Sequence, residues 1–434
     1  MYDLVIIGNS LEGRYAAKEA IKLKYRVALV DKPFKAILPH TEKFFIQTLS
    51  DFARMKNCFE NDFEIALNLP QNFEITPEYN QIFNYTKESI NSLDNQYSLS
   101  FLASLGVDIV QEKGEFTKSP QLAFITESRK LDADNYLIAT ESCYSSPNLK
   151  NFNNISYLTL NDLFYQNKLA SLGDKIAIFI DNTIGINLAY SLAILGKKVI
   201  LISPRKNLFT HEDILISNYI KAKLEAKGVD IIVDNNIKEI KEINQQKFIY
   251  IDNEQLEIDD IIYIDKSTPN IEGLNLEDIG VKYNNKRIIV DYKLKTTKDK
   301  VYAIGNVIGG YNDFNISKYE ADIIVKNIKS SLFFSHQVNY SFVPYEFLYY
   351  PHCVRLGFRE KQARNFYTDI KIIEEFNSYR FIYKLTNKPL DYIKIILTNN
   401  NEILGVYIIG DEFTELINIF ALAMKKKIKF YYIF

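Results

Sequence analysis

The chain has 434 residues, of which 47% are hydrophobic and 24% are charged. This length exceeds one ordinary hydrophobic core, and the composition indicates two or three globular domains rather than a disordered chain. The formal net charge of -2 leaves no dominant basic face and therefore argues against a nucleic-acid binder.

Cysteine usage and apolar runs indicate a cellular compartment. The three cysteines, Cys58, Cys143 and Cys353, lie far apart, which predicts a reducing environment and gives no metal site or disulfide framework. The N-terminus enters a predicted strand by residue 3, which argues against a signal peptide. No apolar run approaches the ~18 residues of a membrane span. We therefore expect a cytoplasmic protein without a membrane span.

The first 31 residues read as strand, glycine turn, helix, strand and acid, the order of a dinucleotide-binding unit. Gly8 allows a tight turn out of the first strand, and Gly13 lets the helix lie close to the sheet. The N–H groups between them would face a pyrophosphate, and Asp31 would bond a ribose. Ser10 replaces the middle glycine of this motif, and its hydroxyl could bond a phosphate oxygen. A βαβ unit without a ligand remains the alternative.

The rest of the chain continues the alternation of strands and helices. The pattern predicts helices at 40–58, 82–105, 186–195, 213–227, 316–330 and 412–426. It predicts strands at 107–110, 136–140, 175–180, 199–202, 229–233, 260–264, 300–306, 381–385 and 393–397. An irregular insertion is expected at 59–78, a linker at 147–154, and a loop and hairpin at 272–290. Residues 175–202 repeat the strand–turn–helix–strand order of the N-terminus.

Three segments together resemble the flavoprotein disulfide reductases of the dihydrolipoamide dehydrogenase, glutathione reductase and mercuric reductase type. Gly8 to Gly13 is similar to their FAD turn. Ala139-Thr140 is similar to an Ala-Thr-Gly strand, with Glu141 in place of the glycine. Thr297 and the segment 301–306 resemble the motif Thr-x-x-x-x-Tyr-Ala-x-Gly-Asp, whose acid bonds the ribityl chain of FAD. Asn306 replaces that acid and keeps an acceptor.

The resemblance implies an α/β fold with two Rossmann-like nucleotide-binding domains, of FAD and NAD(P) type, and a C-terminal α+β dimerisation domain. The implied FAD-binding domain comprises residues 1–148 and 276–335. A degenerate NAD(P)-binding-like domain follows at 149–275, and the dimerisation-like domain covers 336–434.

FAD is the implied cofactor, and the helix starting near Asn315 would aim its N-terminus at the flavin pyrimidine. The resemblance gives these FAD contacts: Gly8, Asn9, Ser10, Leu11, Glu12, Gly13, Asp31, Lys32, Phe116, Ala139, Thr140, Gly305, Asn306 and Asn315. It implies no metal, and we assign no side chain as a catalytic acid, base or nucleophile.

The chain departs from the family where the redox chemistry should lie. A Cys-x-x-x-x-Cys pair is expected after the second strand, yet residues 32–56 contain no cysteine. We expect Cys58, which stands alone, to be a packing residue. The given sequence ends at Phe434 without the family's His-Pro-x-x-x-Glu segment. The histidines occupy no equivalent place and are interpreted as solvated or core residues: His40, His211, His336 and His352.

The second nucleotide turn is degenerate. The expected glycines fall on Ile180, Asn182 and Gly185, and only the last is a glycine. Asp181 adds a negative charge beside the expected pyrophosphate, and the family's helix glutamate near the nicotinamide falls on Asn187. These replacements argue against useful NAD(P)H binding by this half.

Two functions remain open. The first is an FAD-dependent oxidoreductase that transfers hydride or electrons directly through the flavin, without a disulfide, to an unknown acceptor. The second is a catalytically inactive, FAD-binding, dimeric regulatory or interaction protein; complete loss of FAD is a third possibility. We expect a homodimer through the C-terminal domain, with the aromatic segment Phe347–Tyr350 at the interface; the alternative is that these aromatics are internal strand residues.

Overall fold

The structure is a computed structural model that describes most of the chain. The described residues are 1–30, 39–60, 75–118, 121–144, 155–180, 182–205, 207–209, 212–233, 237–244, 246–251, 254–264, 267–311, 313–329, 335–378, 390–410 and 413–432. Several predictions lie outside them, namely those for Asp31, Lys32, Asp181, His211, the linker 147–154 and the strand 381–385.

The described residues form both helices and strands. The helices are α1 (Leu11–Lys22), α2 (Pro39–Cys58), α3 (Tyr79–Asn95), α4 (Leu99–Ser104), α5 (Leu160–Tyr165), α6 (Thr183–Ile194), α7 (Ile214–Ala226), α8 (Leu276–Ile279), α9 (Phe314–Asn327), α10 (Glu360–Phe366) and α11 (Phe413–Lys426). The strands are β1 (Tyr2–Ile7), β2 (Val27–Val30), β3 (Asp108–Val110), β4 (Gly114–Thr117), β5 (Ala123–Thr126), β6 (Lys130–Leu131), β7 (Ala133–Ile138), β8 (Ser142–Tyr144), β9 (Lys175–Ile180), β10 (Lys198–Ser203), β11 (Asp230–Val233), β12 (Ile237–Ile243), β13 (Gln246–Ile251), β14 (Glu254–Ile258), β15 (Asp260–Ile264), β16 (Ser267–Pro269), β17 (Tyr283–Asn284), β18 (Arg287–Ile288), β19 (Val301–Ala303), β20 (Tyr345–Tyr349), β21 (His352–Gly357), β22 (Ile370–Ser378), β23 (Leu390–Thr398) and β24 (Ile403–Ile409).

The chain forms two compact units. Unit 1 comprises Met1–Phe44, Lys87–Ser145 and Lys266–Asn339. It contains a parallel sheet of order β19-β7-β1-β2-β3, beside a small antiparallel sheet of order β4-β5-β6. The apolar run of β1 is buried from Leu4 to Ile7 because both faces of a parallel sheet are covered.

Unit 2 comprises Phe45–Thr86, Ser146–Asp265 and Tyr340–Phe434. Its parallel sheet has the order β11-β10-β9-β15, and a separate antiparallel sheet has the order β20-β21-β24-β23-β22. The three-domain boundaries proposed from the sequence stay a prediction.

The antiparallel sheet of unit 2 carries a buried cation. Lys394 on β23 is paired with Asp213 at 2.9 Å, Glu360 at 2.6 Å and Glu374 at 3.1 Å. Burial alone lowers the pKa of Lys394, but its hydrogen bonds to the three carboxylates outweigh burial and raise it. The lysine therefore stays charged inside the unit.

The segment 82–105, expected to be mostly helical, contains most of α3 and all of α4, and Ser98 starts α4 by accepting a hydrogen bond from the Phe101 N–H. One sequence expectation needs correction. The expected interface segment Phe347–Tyr350 is buried within unit 2, so it is not an exposed dimer surface. The Phe347 and Tyr350 rings pack on other aromatic rings of the same unit.

Within the described residues, no helix is both long and apolar enough to cross a membrane.

Candidate functional site

The residues that the sequence singled out in unit 1 meet at one edge of its parallel sheet. β19, β7 and β1 are neighbours, and their carboxyl ends lead to Gly305, Thr140 and Gly8, respectively. Ligands of open α/β sheets bind at this edge, where loops and helix N-termini converge. The topology therefore brings together three segments that are far apart in the sequence.

Glycine is required at position 8 because the backbone there lies close to the residues that follow β7. Its φ is +113°, and a Cβ there would lie 2.2 Å from the Ala139 carbonyl oxygen and 2.7 Å from the Thr140 Cα. Gly13 is similarly restricted, since its Cβ would lie 2.8 Å from the Gly8 oxygen. Both glycines are therefore explained by close packing of the turn and the helix against the sheet.

Ser10 caps α1. Its Oγ accepts a hydrogen bond from the Gly13 N–H at 3.0 Å, and its own backbone is extended. A hydroxyl can donate while it accepts, so the predicted bond from Ser10 to a phosphate oxygen stays a prediction. Asn9 accepts from the Arg14 Nε at 2.6 Å, which places a cation beside the turn. Leu11 is buried in the first turn of the helix.

Glu12 brings a carboxylate into the site. It is fully buried in the first turn of α1. A Cβ on Gly305 would lie 2.1 Å from the Glu12 Oε1, so the carboxylate rests against the loop that follows β19. The Gly305 N–H donates to the Glu320 Oε2 at 2.9 Å. The sequence named Glu12 as part of the turn but did not predict this contact with a residue almost three hundred positions away.

Asn306 contacts the residue that follows Thr140. Its Nδ2 donates to the Glu141 Oε2 at 2.8 Å, and both residues are buried. Glu141 has a φ of +63°, a left-handed backbone that suits the glycine found there in the resembled motif. Sequence reasoning noted both replacements separately and missed their contact.

Thr140 supplies a polar group without a partner. It is 1% exposed, and its Oγ1 has no hydrogen-bond partner within the described part of the chain. A buried unsatisfied hydroxyl costs free energy and is commonly explained by a ligand or water. Ala139 beside it is buried, and its N–H donates to the Ile7 carbonyl at 2.8 Å.

Phe116 lies in the core of unit 1. Its ring packs against Phe124 and Tyr136, and its N–H donates to the Leu274 carbonyl at 3.0 Å. Its carbonyl accepts from the Asn275 amide at 3.2 Å. Phe116 therefore contributes packing, and its predicted contact with FAD stays untested.

The N-terminus of α9 is already capped. Asp313 accepts from the Asn315 N–H at 2.8 Å and from the Ile316 N–H at 3.2 Å. Lys43 pairs with the same carboxylate. The helix starts at Phe314, close to the predicted position. The backbone N–H of Asn315 is already bonded to the Asp313 carboxylate. An aspartate just before a helical pattern is a common capping signal that the sequence analysis did not use.

The second turn, in unit 2, has a different form. Asn182 caps α6 by accepting from the Gly185 N–H at 3.2 Å. A Cβ on Gly185 would lie 2.2 Å from the Ile180 side chain, which fills the space beside the helix. Asn187 donates to the Thr183 carbonyl at 2.8 Å and accepts from the Tyr349 N–H at 2.7 Å. Its amide is therefore engaged inside unit 2.

The structure contains no disulfide bond between Cys58, Cys143 and Cys353. The Cys143 Sγ lies 3.6 Å from the Thr268 Oγ1, and Cys353 is buried. Among the described residues, no group of three or more His, Cys, Asp or Glu side chains could hold a metal ion.

Comparison with known families identifies the arrangement. The model of the pyridine nucleotide-disulphide oxidoreductase matches residues 2–321, and that of its dimerisation domain matches residues 343–433. The chain belongs to the pyridine nucleotide-disulphide oxidoreductase family. The predicted family and fold class are confirmed.

Similar members differ in length. A mercuric reductase of Lysinibacillus sphaericus is 22% identical over 98% of this chain and 77% of its own length. A dihydrolipoyl dehydrogenase of Staphylococcus aureus is 23% identical over 98% and 90%, respectively. The chain spans only 57% of the length of a Bacillus cereus mercuric reductase.

A solved structure has the same fold. The Cu(II) complex of the HOCl-induced flavoprotein disulfide reductase RclA from Escherichia coli matches with a TM-score of 0.79 at 22% identity. That match covers 99% of this chain and 93% of the other.

Proposed function

We propose that the chain binds FAD at the edge formed by β1, β7 and β19. The turn at Gly8 carries this proposal, because it admits no Cβ and leads directly into the N-terminus of α1, where a pyrophosphate would bind. The buried Thr140 hydroxyl supports it, since a ligand would satisfy that group. Asp31 and Lys32, which lie outside the described residues, remain part of the proposed site.

We propose that electrons pass directly through the cofactor in this chain. FAD, when bound, would supply hydride or electron transfer between a donor and an acceptor. Residues 32–56 contain no cysteine, so the chain cannot place a thiol pair in the segment where the family carries one. The protein's part would be to bind and orient the cofactor. The acceptor is unidentified.

The proposal does not require NAD(P)H as the donor. Ile180 stands where the first glycine of the motif is expected, and its side chain fills the space beside Gly185. The Asn187 amide bonds the backbone of its own unit instead of facing a nicotinamide. We therefore expect weak or absent NAD(P)H binding in this half.

A spectrum of the purified protein tests the proposal. FAD binding predicts a yellow protein with the visible absorption of a bound flavin, and a donor should bleach that absorption under anaerobic conditions. A colourless protein that cannot be reconstituted with FAD would refute it. Bleaching by an artificial reductant, but by neither NADH nor NADPH, would agree with the degenerate second turn.

The alternative is an inactive, FAD-binding, dimeric interaction protein. The engaged Asn187 amide favours it, because a chain without a nicotinamide site lacks the family's electron donor. The match of residues 343–433 to the dimerisation domain supports a homodimer. A monomeric mass at micromolar concentration would argue against the dimer, and turnover of any donor–acceptor pair would argue against inactivity.

A further inference from the structure

We propose that Glu141 is a positioning residue that orients the Asn306 amide toward the cofactor. This inference rests on the proposed FAD site. The two residues follow neighbouring strands, β7 and β19, and their side chains meet at 2.8 Å in the buried edge of unit 1. Their sequence separation is 165 positions, so only the fold brings them together.

The chemistry of the pair fixes the direction of the amide. An ionised carboxylate offers only acceptors, whereas an asparagine side chain has one donor end and one acceptor end. The Asn306 Nδ2 donates to the Glu141 Oε2, so the Oδ1 of the same amide points in a different direction. An asparagine held in this way presents oxygen to the hydroxyl donors of a ligand, as a carboxylate would.

The backbone supports a role for the Glu141 side chain. Glu141 has a φ of +63°. This backbone conformation costs free energy in a residue with a Cβ, and glycine would avoid that cost. The Glu141 carbonyl accepts from the Asn270 N–H at 3.0 Å, which holds the backbone in place. The Glu141 side chain is only 2% exposed, although its residue keeps a left-handed backbone conformation. This combination indicates that the carboxylate has a function.

Two neighbouring hydroxyls indicate the class of ligand. Thr140 and Ser142 flank Glu141, and both are at least nine-tenths buried. Neither hydroxyl oxygen has a hydrogen-bond partner in the described residues. A ligand segment rich in hydroxyl groups would satisfy such atoms, because a hydroxyl both donates and accepts. The ribityl chain of FAD is a segment of this kind.

The experiment measures FAD affinity and stability separately in the parent protein and in four full-length variants. The variants are Glu141→Gly, Asn306→Asp, the double variant, and Lys300→Gly as a control. Lys300 also has a positive φ, of +65°, in unit 1, but it is exposed. The control thus removes the strain of a left-handed backbone, as Glu141→Gly does, but leaves the Asn306 amide and its partner unchanged. Quenching of FAD fluorescence gives the dissociation constant, and urea unfolding without FAD gives the stability.

Glu141→Gly should weaken FAD binding about fivefold to tenfold, which is the effect of one lost orienting hydrogen bond. Its urea midpoint should stay close to that of the parent, because the relieved backbone offsets the lost bond. Asn306→Asp should weaken binding when Glu141 is present, since two buried carboxylates would then face each other. In the Glu141→Gly background, the same change should restore binding, because aspartate needs no orientation. Lys300→Gly should leave FAD affinity unchanged.

An unchanged FAD affinity in Glu141→Gly would overturn the inference, as would a failure of Asn306→Asp to restore binding in that background. Equal loss of affinity in the Lys300→Gly control would also overturn it, because backbone freedom would then be the cause. If the parent protein itself binds no FAD, the proposed function fails together with the inference. Failure of the variants alone refutes only the role of Glu141.

Discussion

Substitution of Gly8 by alanine should separate steric contact from backbone strain in the candidate site. The new Cβ would lie 2.2 Å from the Ala139 oxygen, 2.5 Å from its carbonyl carbon and 2.7 Å from the Thr140 Cα. A positive φ costs a residue with a Cβ roughly 1–2 kcal/mol. Overpacking of a rigid site adds roughly 1–3 kcal/mol. The total loss of unfolding free energy should therefore be about 2–5 kcal/mol.

Gly106→Ala is the matched control. Gly106 has a φ of +99° in the same unit, but a Cβ there would meet nothing within 4 Å. It should lose only the strain of about 1–2 kcal/mol. Urea unfolding of both variants without FAD, followed by far-ultraviolet circular dichroism, gives the difference, and FAD titration gives the binding. Gly8→Ala should also lose FAD binding, whereas Gly106→Ala should keep it. Equal unfolding free energies for the two variants would refute the conclusion that a Cβ at position 8 collides with Ala139 and Thr140.

Three other results are expected. Glu12→Ala should increase FAD affinity, because a buried carboxylate at the proposed pyrophosphate turn repels the cofactor. Glu19→Ala on the same helix should leave FAD affinity unchanged. An unchanged FAD affinity in Glu12→Ala would contradict this prediction. Lys394→Met should cost about 3 kcal/mol of unfolding free energy, because three partly buried carboxylates lose their shared cation, whereas the exposed Lys241→Met should cost much less. Burial raises the pKa of Glu360, but the hydrogen bonds from Lys394 and from a nearby arginine outweigh it and lower that pKa. The stabilisation is therefore present above the ordinary value of 4.5 and is lost as pH falls below it, so the Lys394→Met deficit should shrink in acid.

The N-terminal turn could be predicted because its constraints are local. Gly8, Gly13 and the flanking apolar runs lie within a short segment, and each has a direct steric reason. The repeated strand–turn–helix order likewise predicted the parallel sheets of both units. The family and fold class followed from these elements, and the family match over residues 2–321 confirms them.

Contacts between distant segments could not be predicted in the same way. Glu12 meets Gly305, and Glu141 meets Asn306, only because β1, β7 and β19 are neighbours in the sheet. The sequence shows the residue types but not which side chains share a space. The sequence alone could not decide between an interface and an internal strand for Phe347, because an apolar run has the same pattern in both; the structure shows it buried.

The two nucleotide turns replace the same glycine in the same manner. Ser10 and Asn182 each occupy the middle position, and each accepts a hydrogen bond from the N–H three residues later. A capping side chain is a local means of starting the helix, so this replacement does not by itself separate a ligand site from a degenerate one. The two turns differ at the first glycine position of the motif. Gly8 leaves the backbone bare, whereas Ile180 fills the space against Gly185. The proposed loss of NAD(P)H binding therefore rests on Ile180 rather than on Asn182.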